Sequence, residues 1–316
     1  MKYHQLTKKY CLVLCLMASF LLTISSIQLV QAEEETKIVT SFYPMYALTK
    51  EIVGDKHPVF MINSANGIHG FEPSANDVMA IYDADIFIYH SDILESWAQK
   101  IKHNVEKQKQ SDVIIIEASN GLDMEKVPGL ENLELMEGKD GSTLYDPHTW
   151  LDPIEIGEEA KLIAQALGEV DRDNEDFYQQ RAESIVAQAK VLTDKYTPLF
   201  KKNKQKTFVT QHTAFSYLAT RFGLTQLGIA GVSGQEPSVK QLQEVKKFVE
   251  KYQVKTIFTE PNISDKASQL IAQETGARVE VLDPLEADPH NDLSLLANLE
   301  NNLQKLLNVL QEEGEK

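Results

Sequence analysis

Short β-rich runs alternate with helical runs along nearly the whole chain, and this alternation constrains the fold more than any other feature. Lys37–Ser41, Val59–Ile62, Ile86–Tyr89 and Val113–Glu117 read as strands, with helical patterns at Met45–Val53, Ala75–Tyr82 and Leu94–Lys107 between them. The second half repeats the style. Thr207–Gln211, Thr225–Ile229, Thr256–Thr259 and Val279–Leu282 read as strands. Ala214–Phe222, Val239–Tyr252, Asp265–Thr275 and Leu293–Gln311 read as helices, with Gly223 and Gly276 where C-terminal caps belong. Strands separated by single helices demand parallel pairing, so the fold class is α/β.

A long helical stretch divides the two halves. Pro153–Leu167 reads as one helix, closed by Gly168. Asp173 to about Phe200 reads as the next, with Asp173 or Asn174 at its N-cap and Pro198 expected to kink or end it. At 1.5 Å per residue such a helix reaches roughly 40 Å, enough to cross from one lobe to another as a stiff connection. The expected organisation is therefore a signal peptide at 1–32, a β/α lobe at 33–170, a linking helix at 171–203 and a second β/α lobe at 204–316.

The first 32 residues differ from the rest. Lys2, Lys8 and Lys9 precede an uncharged, mostly apolar run from Cys11 to Ile27, and Val30-Gln31-Ala32 offers a cleavage site. This reads as a secretory signal peptide and places the chain outside the cytoplasm, an uncleaved anchor being the alternative. Both cysteines, Cys11 and Cys15, lie in this leader, so the exported part must hold together without disulfides. Leu12-Val13-Leu14 before Cys15 lacks the small residue that lipidation wants, and no lipid anchor is expected there. The formal net charge is −16, and removing the leader takes away three lysines and no acid, leaving −19. Such a surface argues against nucleic-acid binding, which needs basic groups to displace phosphate counterions.

Three histidines fall where the ends of strands and loops can converge. His69 lies in the loop Asn66-Gly67-Ile68-His69-Gly70-Phe71-Glu72-Pro73 after a strand. His212 directly follows Thr207–Gln211, and His148 sits in Asp146-Pro147-His148-Thr149-Trp150 before a helix. In open α/β sheets ligands bind beyond the carboxyl ends of the strands. Asp283-Pro284-Leu285-Glu286 follows the last strand and adds two carboxylates. Three imidazoles and one carboxylate suit Zn²⁺, whereas more carboxylates and fewer imidazoles would favour Mn²⁺. Scattered histidines at no short ligand spacing are weak evidence by themselves, because their convergence depends on the fold.

At these residues the chain resembles a known family. Ser41-Phe42-Tyr43-Pro44-Met45-Tyr46, His69-Gly70-Phe71-Glu72-Pro73-Ser74, Asp146-Pro147-His148-Thr149-Trp150-Leu151-Asp152-Pro153 and Thr210-Gln211-His212-Thr213-Ala214-Phe215-Ser216-Tyr217-Leu218-Ala219 are similar to the metal-binding solute-binding proteins of ABC transporters. Within that family the likeness is to the zinc-binding, laminin-binding adhesin type of Gram-positive bacteria. It extends from Lys37 to the C-terminal helix. The resemblance implies two β/α lobes bridged by one long rigid helix, with one Zn²⁺ held as cargo in the cleft between them. It implies His69, His148, His212 and Glu286 as ligands, with Asp283 as the competitor for the fourth place. It also implies a membrane ABC-type zinc permease as partner, laminin as a further partner, and a monomer at the cell surface. Glu72, Asp283 and Glu260 are candidates to orient the imidazoles.

Four protein ligands would leave no position for an activated water, so capture and delivery are expected rather than catalysis. Neither a His-Glu-x-x-His helix nor a G-x-S-x-G elbow is present to support a hydrolase. The alternatives are a manganese carrier of the same fold, against which His212 argues, and a protein that is primarily an adhesin.

Overall fold

A buried parallel sheet must be covered on both faces, and the strand sequences here meet that demand. The computed structural model describes residues 35–62, 67–108, 111–127, 144–261 and 263–315. The expected signal peptide and most of the polar segment between Glu117 and Tyr145 lie outside them. Among the described residues β1 (Ile38–Thr40), β2 (Val59–Met61), β3 (Ile86–Tyr89) and β4 (Ile114–Glu117) form one sheet in the order β2-β1-β3-β4. β5 (Thr207–His212), β6 (Thr225–Ala230), β7 (Thr256–Thr259) and β8 (Arg278–Val281) form a second in the order β6-β5-β7-β8. All pairings between these strands are parallel. The inner strands β1, β3 and β7 are buried along their whole length.

The helices are α1 (Tyr43–Val53), α2 (Ala75–Tyr82), α3 (Ser96–Gln108), α4 (Pro153–Val170), α5 (Glu175–Lys202), α6 (Ser216–Phe222), α7 (Val239–Tyr252), α8 (Lys266–Thr275) and α9 (Leu295–Gly314). Ser74 and Ser238 open α2 and α7 with reciprocal capping boxes. Gly223 and Gly276 close α6 and α8 in the left-handed conformation, as the sequence suggests.

α5 bridges the two lobes and spans about 42 Å at the standard rise. Its buried face, Tyr178, Ala182, Ile185, Ala189, Leu192, Tyr196 and Phe200, recurs every three or four residues and lies against a core shared by both lobes. That core runs from Ile38 and Leu48 through Trp150 and Ile163 to Phe208, Phe258 and Leu306. Hydrogen bonds reinforce the union. The Asn298 amide donates to the Tyr43 hydroxyl at 2.8 Å, and Arg221 on α6 donates to both oxygens of Asp152, the N-cap of α4, at 2.8 and 3.0 Å.

Two local expectations need correction. Pro198 does not end α5, which continues to Lys202. Phe200 is buried in the shared core, and the Lys206 ammonium donates to the terminal carbonyls of Phe200 and Lys201. Gly168 does not close α4, which runs to Val170. It allows close approach of the next helix, since a Cβ there would stand 2.8 Å from Glu175 Cγ. Of the two N-cap residues the sequence offers for α5, Asn174 holds the position, after a single 3₁₀ turn at Arg172–Asn174 and without a capping side-chain hydrogen bond.

Candidate metal centre

Each candidate ligand leaves the carboxyl side of a sheet or a turn beside it. His69 lies in the loop after β2, His212 is the last residue of β5, and Glu286 follows β8 by five residues. His148 precedes a single 3₁₀ turn, Thr149–Leu151, that leads into α4. The fold brings all four together, with one ligand atom from each lying within 4.8 Å of the others. His148, His212 and Glu286 are buried, whereas the His69 side chain is 17% exposed and faces the solvent side. Two cavities flank His69, one reaching Leu94, Pro147 and Gln235, the other Gln211, Glu260 and Ile263.

The separations carry chemical information. His69 Nε2 lies 3.0 Å from His148 Nε2, and His212 Nε2 lies 3.3 Å from the same atom. Glu286 Oε1 stands 3.3 Å from the Nε2 atoms of His69 and His212 and 3.7 Å from that of His148. A tetrahedron with metal–ligand bonds of about 2.0–2.1 Å has edges of roughly 3.3–3.4 Å. Glu286 Oε1 is buried and has no hydrogen-bond partner of acceptable geometry among the described residues. An orphaned carboxylate oxygen among three imidazole nitrogens calls for a cation.

Carboxylates behind the imidazoles fix their orientation. Asp146 Oδ1 accepts from His148 Nδ1 at 2.7 Å, and Glu260 Oε1 accepts from His212 Nδ1 at 2.5 Å. A carboxylate can only accept here, so both Nδ1 atoms carry hydrogen and both Nε2 atoms point to the centre. Burial pulls the proton affinity of His212 down, but the hydrogen bond to Glu260 and the Glu286 carboxylate beside it more than offset this and leave its pKa at about 10. His148 behaves likewise: burial opposes its protonation, Asp146 overrides burial, and the net shift is upward. Burial alone would raise Glu286, yet the three surrounding imidazoles hold it well below the usual carboxylate range. The centre is built for positive charge, and protons supply it when no metal does.

The residues singled out in the sequence separate clearly. Asp283 stands outside the cluster. Its Oδ1 accepts from the Leu285 amide at 2.8 Å, and burial raises its pKa. Of the three candidates to orient imidazoles, only Glu260 does so, and Glu72 is exposed. Asp146 also does so, two residues before His148 in the same motif, a role that the sequence does not announce. His90 lies outside every motif read from the sequence. Fully buried, it shares a 2.8 Å hydrogen bond with Thr149 Oγ1 and so anchors the turn after His148, a link between distant residues that no local pattern announces.

Comparison with known proteins finds relatives along nearly the whole described chain. The family model for zinc-uptake complex component A, periplasmic, matches residues 38–309. The high-affinity zinc uptake system protein ZnuA of Bacillus subtilis is 37% identical over 256 residues, covering 80% of this chain and 79% of that protein. Against the zinc-binding lipoprotein AdcA of Streptococcus pneumoniae the identity is 34%, over 97% of this chain but only 62% of that longer protein. A Zn(II)-bound variant of AdcAII from Streptococcus pneumoniae superposes with a TM-score of 0.82 at 54% identity, covering 88% of this chain and 99% of that one. The laminin-binding protein Lmb of Streptococcus agalactiae, described as a bifunctional adhesin and metal transporter, gives 0.79 at 50% identity, covering 88% of this chain and 100% of that one. Such a match, spanning both sheets and the helix between them, makes the chain a member of the zinc-uptake complex component A family of solute-binding proteins.

Proposed function

We propose that this protein captures one Zn²⁺ outside the cytoplasm and delivers it to a membrane ABC permease. In this reading His69, His148, His212 and Glu286 are the ligands. The observation that carries it is the set of ligand-atom separations, which brackets the edges of a zinc tetrahedron, together with the carboxylates behind two of the imidazoles. Three nitrogens and one oxygen favour Zn²⁺ over Mn²⁺, which prefers oxygen-rich, higher-coordinate sites.

The chemistry is capture without turnover. Zinc displaces protons from the imidazoles and takes up the charge of Glu286. With four protein ligands no position remains for an activated water. The core common to both lobes and the bridging α5 resist rigid-body opening, so loading and release fall to the loops around His69 rather than to a hinge.

The likeness to Lmb supports laminin binding as a second activity, and a monomer at the cell surface completes the reading. Adhesion that depends on the fold but not on the ligands should persist in His148→Ala. Zinc competition titration of the wild-type protein should give one tightly held ion per chain. His148→Ala and His212→Ala should each weaken binding by orders of magnitude while the circular dichroism spectrum stays unchanged. Tight zinc binding by both variants would refute the ligand assignment.

A further inference from the structure

The turn that presents Glu286 is fastened from three directions. Asn302 on α9 accepts from the Asp283 amide at 3.3 Å and donates to the Asp283 carbonyl at 2.6 Å. The Asp283 side chain accepts from the Leu285 amide at 2.8 Å. The Pro284 carbonyl accepts the Trp150 indole N–H at 2.9 Å, a bond that joins the turn carrying His148 to the turn carrying Glu286. Trp150 is fully buried and its ring stands 5.2 Å from that of His148.

Between these anchors Leu285 adopts φ +56°, a left-handed conformation uncommon for a non-glycine residue and costly for a bulky one. Its side chain is 2% exposed and belongs to the shared core, which holds the turn in place. The consequence falls on the next residue. Glu286 directs Oε1 at all three imidazoles, and its Oε2 lies beside the Gly67 backbone, 3.0 Å from where a Cβ on Gly67 would stand. Gly67 itself sits at φ +80°. The carboxylate therefore turns Oε1 to the centre and Oε2 toward Gly67.

We propose that Trp150 and the left-handed Leu285 turn are positioning elements that set metal specificity by keeping Glu286 to a single donor oxygen. One oxygen plus three nitrogens makes a four-coordinate site suited to Zn²⁺. A carboxylate free to swing to two-oxygen binding would add a ligand and admit Mn²⁺, which accepts oxygen-rich, higher coordination. This inference rests on the zinc-capture reading and adds the source of its selectivity.

Trp150→Phe keeps an aromatic ring but removes the N–H together with the rest of the indole. Leu285→Gly removes both the cost of the left-handed backbone and the side chain that anchors it. The full-length wild type and both variants are stripped of metal, checked by circular dichroism and thermal melting, and loaded with Co²⁺. The d–d absorption per bound ion then reports coordination number, being intense for four ligands and weak for five or six. Zn²⁺/Mn²⁺ competition on the same samples gives the selectivity ratio.

The wild type should show the intense band and a strong zinc preference. Each folded variant should lose at least half the band intensity and about tenfold or more of the zinc-over-manganese ratio, the scale on which supporting contacts act at metal sites. Leu285→Gly decides the matter if Trp150→Phe fails to fold. Folded variants with an unchanged band and ratio, on a wild type that binds zinc tightly, overturn this inference alone. A wild type that binds no zinc, or shows only the weak band, overturns the zinc-capture reading and this inference together.

Discussion

Zinc must displace the proton that His212 holds in the metal-free centre, and this sets a measurable pH dependence. Burial lowers that proton's affinity, but Glu260 and Glu286 more than restore it, placing the His212 pKa at about 10. From about pH 6.5 to 8.5 the ring is therefore fully protonated without metal, and binding zinc releases one proton. Linkage then requires the apparent zinc affinity to rise about tenfold per pH unit, or roughly 100-fold across this window. The upward shift of His148 steepens the slope at the acidic end. The stability of the metal-free protein moves the other way. A histidine raised in the folded state contributes fully below its unfolded pKa of 6.5, and that contribution is lost as pH rises through about 10. The assay is competition against a chelating dye of known proton dependence, paired with proton counting in weakly buffered indicator solution. An affinity constant within about twofold across the window, with no proton released, would refute the reasoning. Glu260→Gln removes the carboxylate that holds the proton and should lower both the slope and the proton count.

Asp146→Asn should weaken zinc binding by about 10- to 100-fold by loosening the His148 ring, read by the same competition assay. His103→Ala, on an exposed face of α3, should change neither zinc affinity nor stability beyond about 0.5 kcal/mol, measured beside His148→Ala. Arg221→Met leaves the buried Asp152 carboxylate without its cation. Because the arginine is itself 32% exposed, the expected loss is about 1–3 kcal/mol of unfolding free energy by urea denaturation, below the full value for a buried pair. Zinc at about 100 times its dissociation constant should stabilise the native state by about 2.7 kcal/mol, seen as a higher melting temperature that EDTA reverses.

The α/β architecture was legible because it depends on local pattern. The continuous buried runs of β1, β3 and β7 and the three- and four-residue spacing along α5 are written in neighbouring residues. Errors arose where a tertiary contact overrides a local preference. Pro198 is carried inside α5 by the burial of Phe200, and Gly168 serves the approach of Glu175 rather than a helix end. The site divides in the same way. His69, His148 and His212 stand beside strand ends and in motifs that resemblance could interpret. The choice between Asp283 and Glu286 turns on a left-handed residue, Leu285, and on an indole donated from the other lobe. Neither leaves a mark in spacing. His90 is hidden for the same reason, since its partner Thr149 lies 59 residues away.

The central claim is that four side chains from two lobes form one zinc-selective site. Its most direct test is a Zn²⁺ and Mn²⁺ competition titration of the purified protein, with bound metal counted per chain. One Zn²⁺ held tightly and not displaced by excess Mn²⁺ is the expected result. Preference for Mn²⁺, or no tight site at all, would contradict the account.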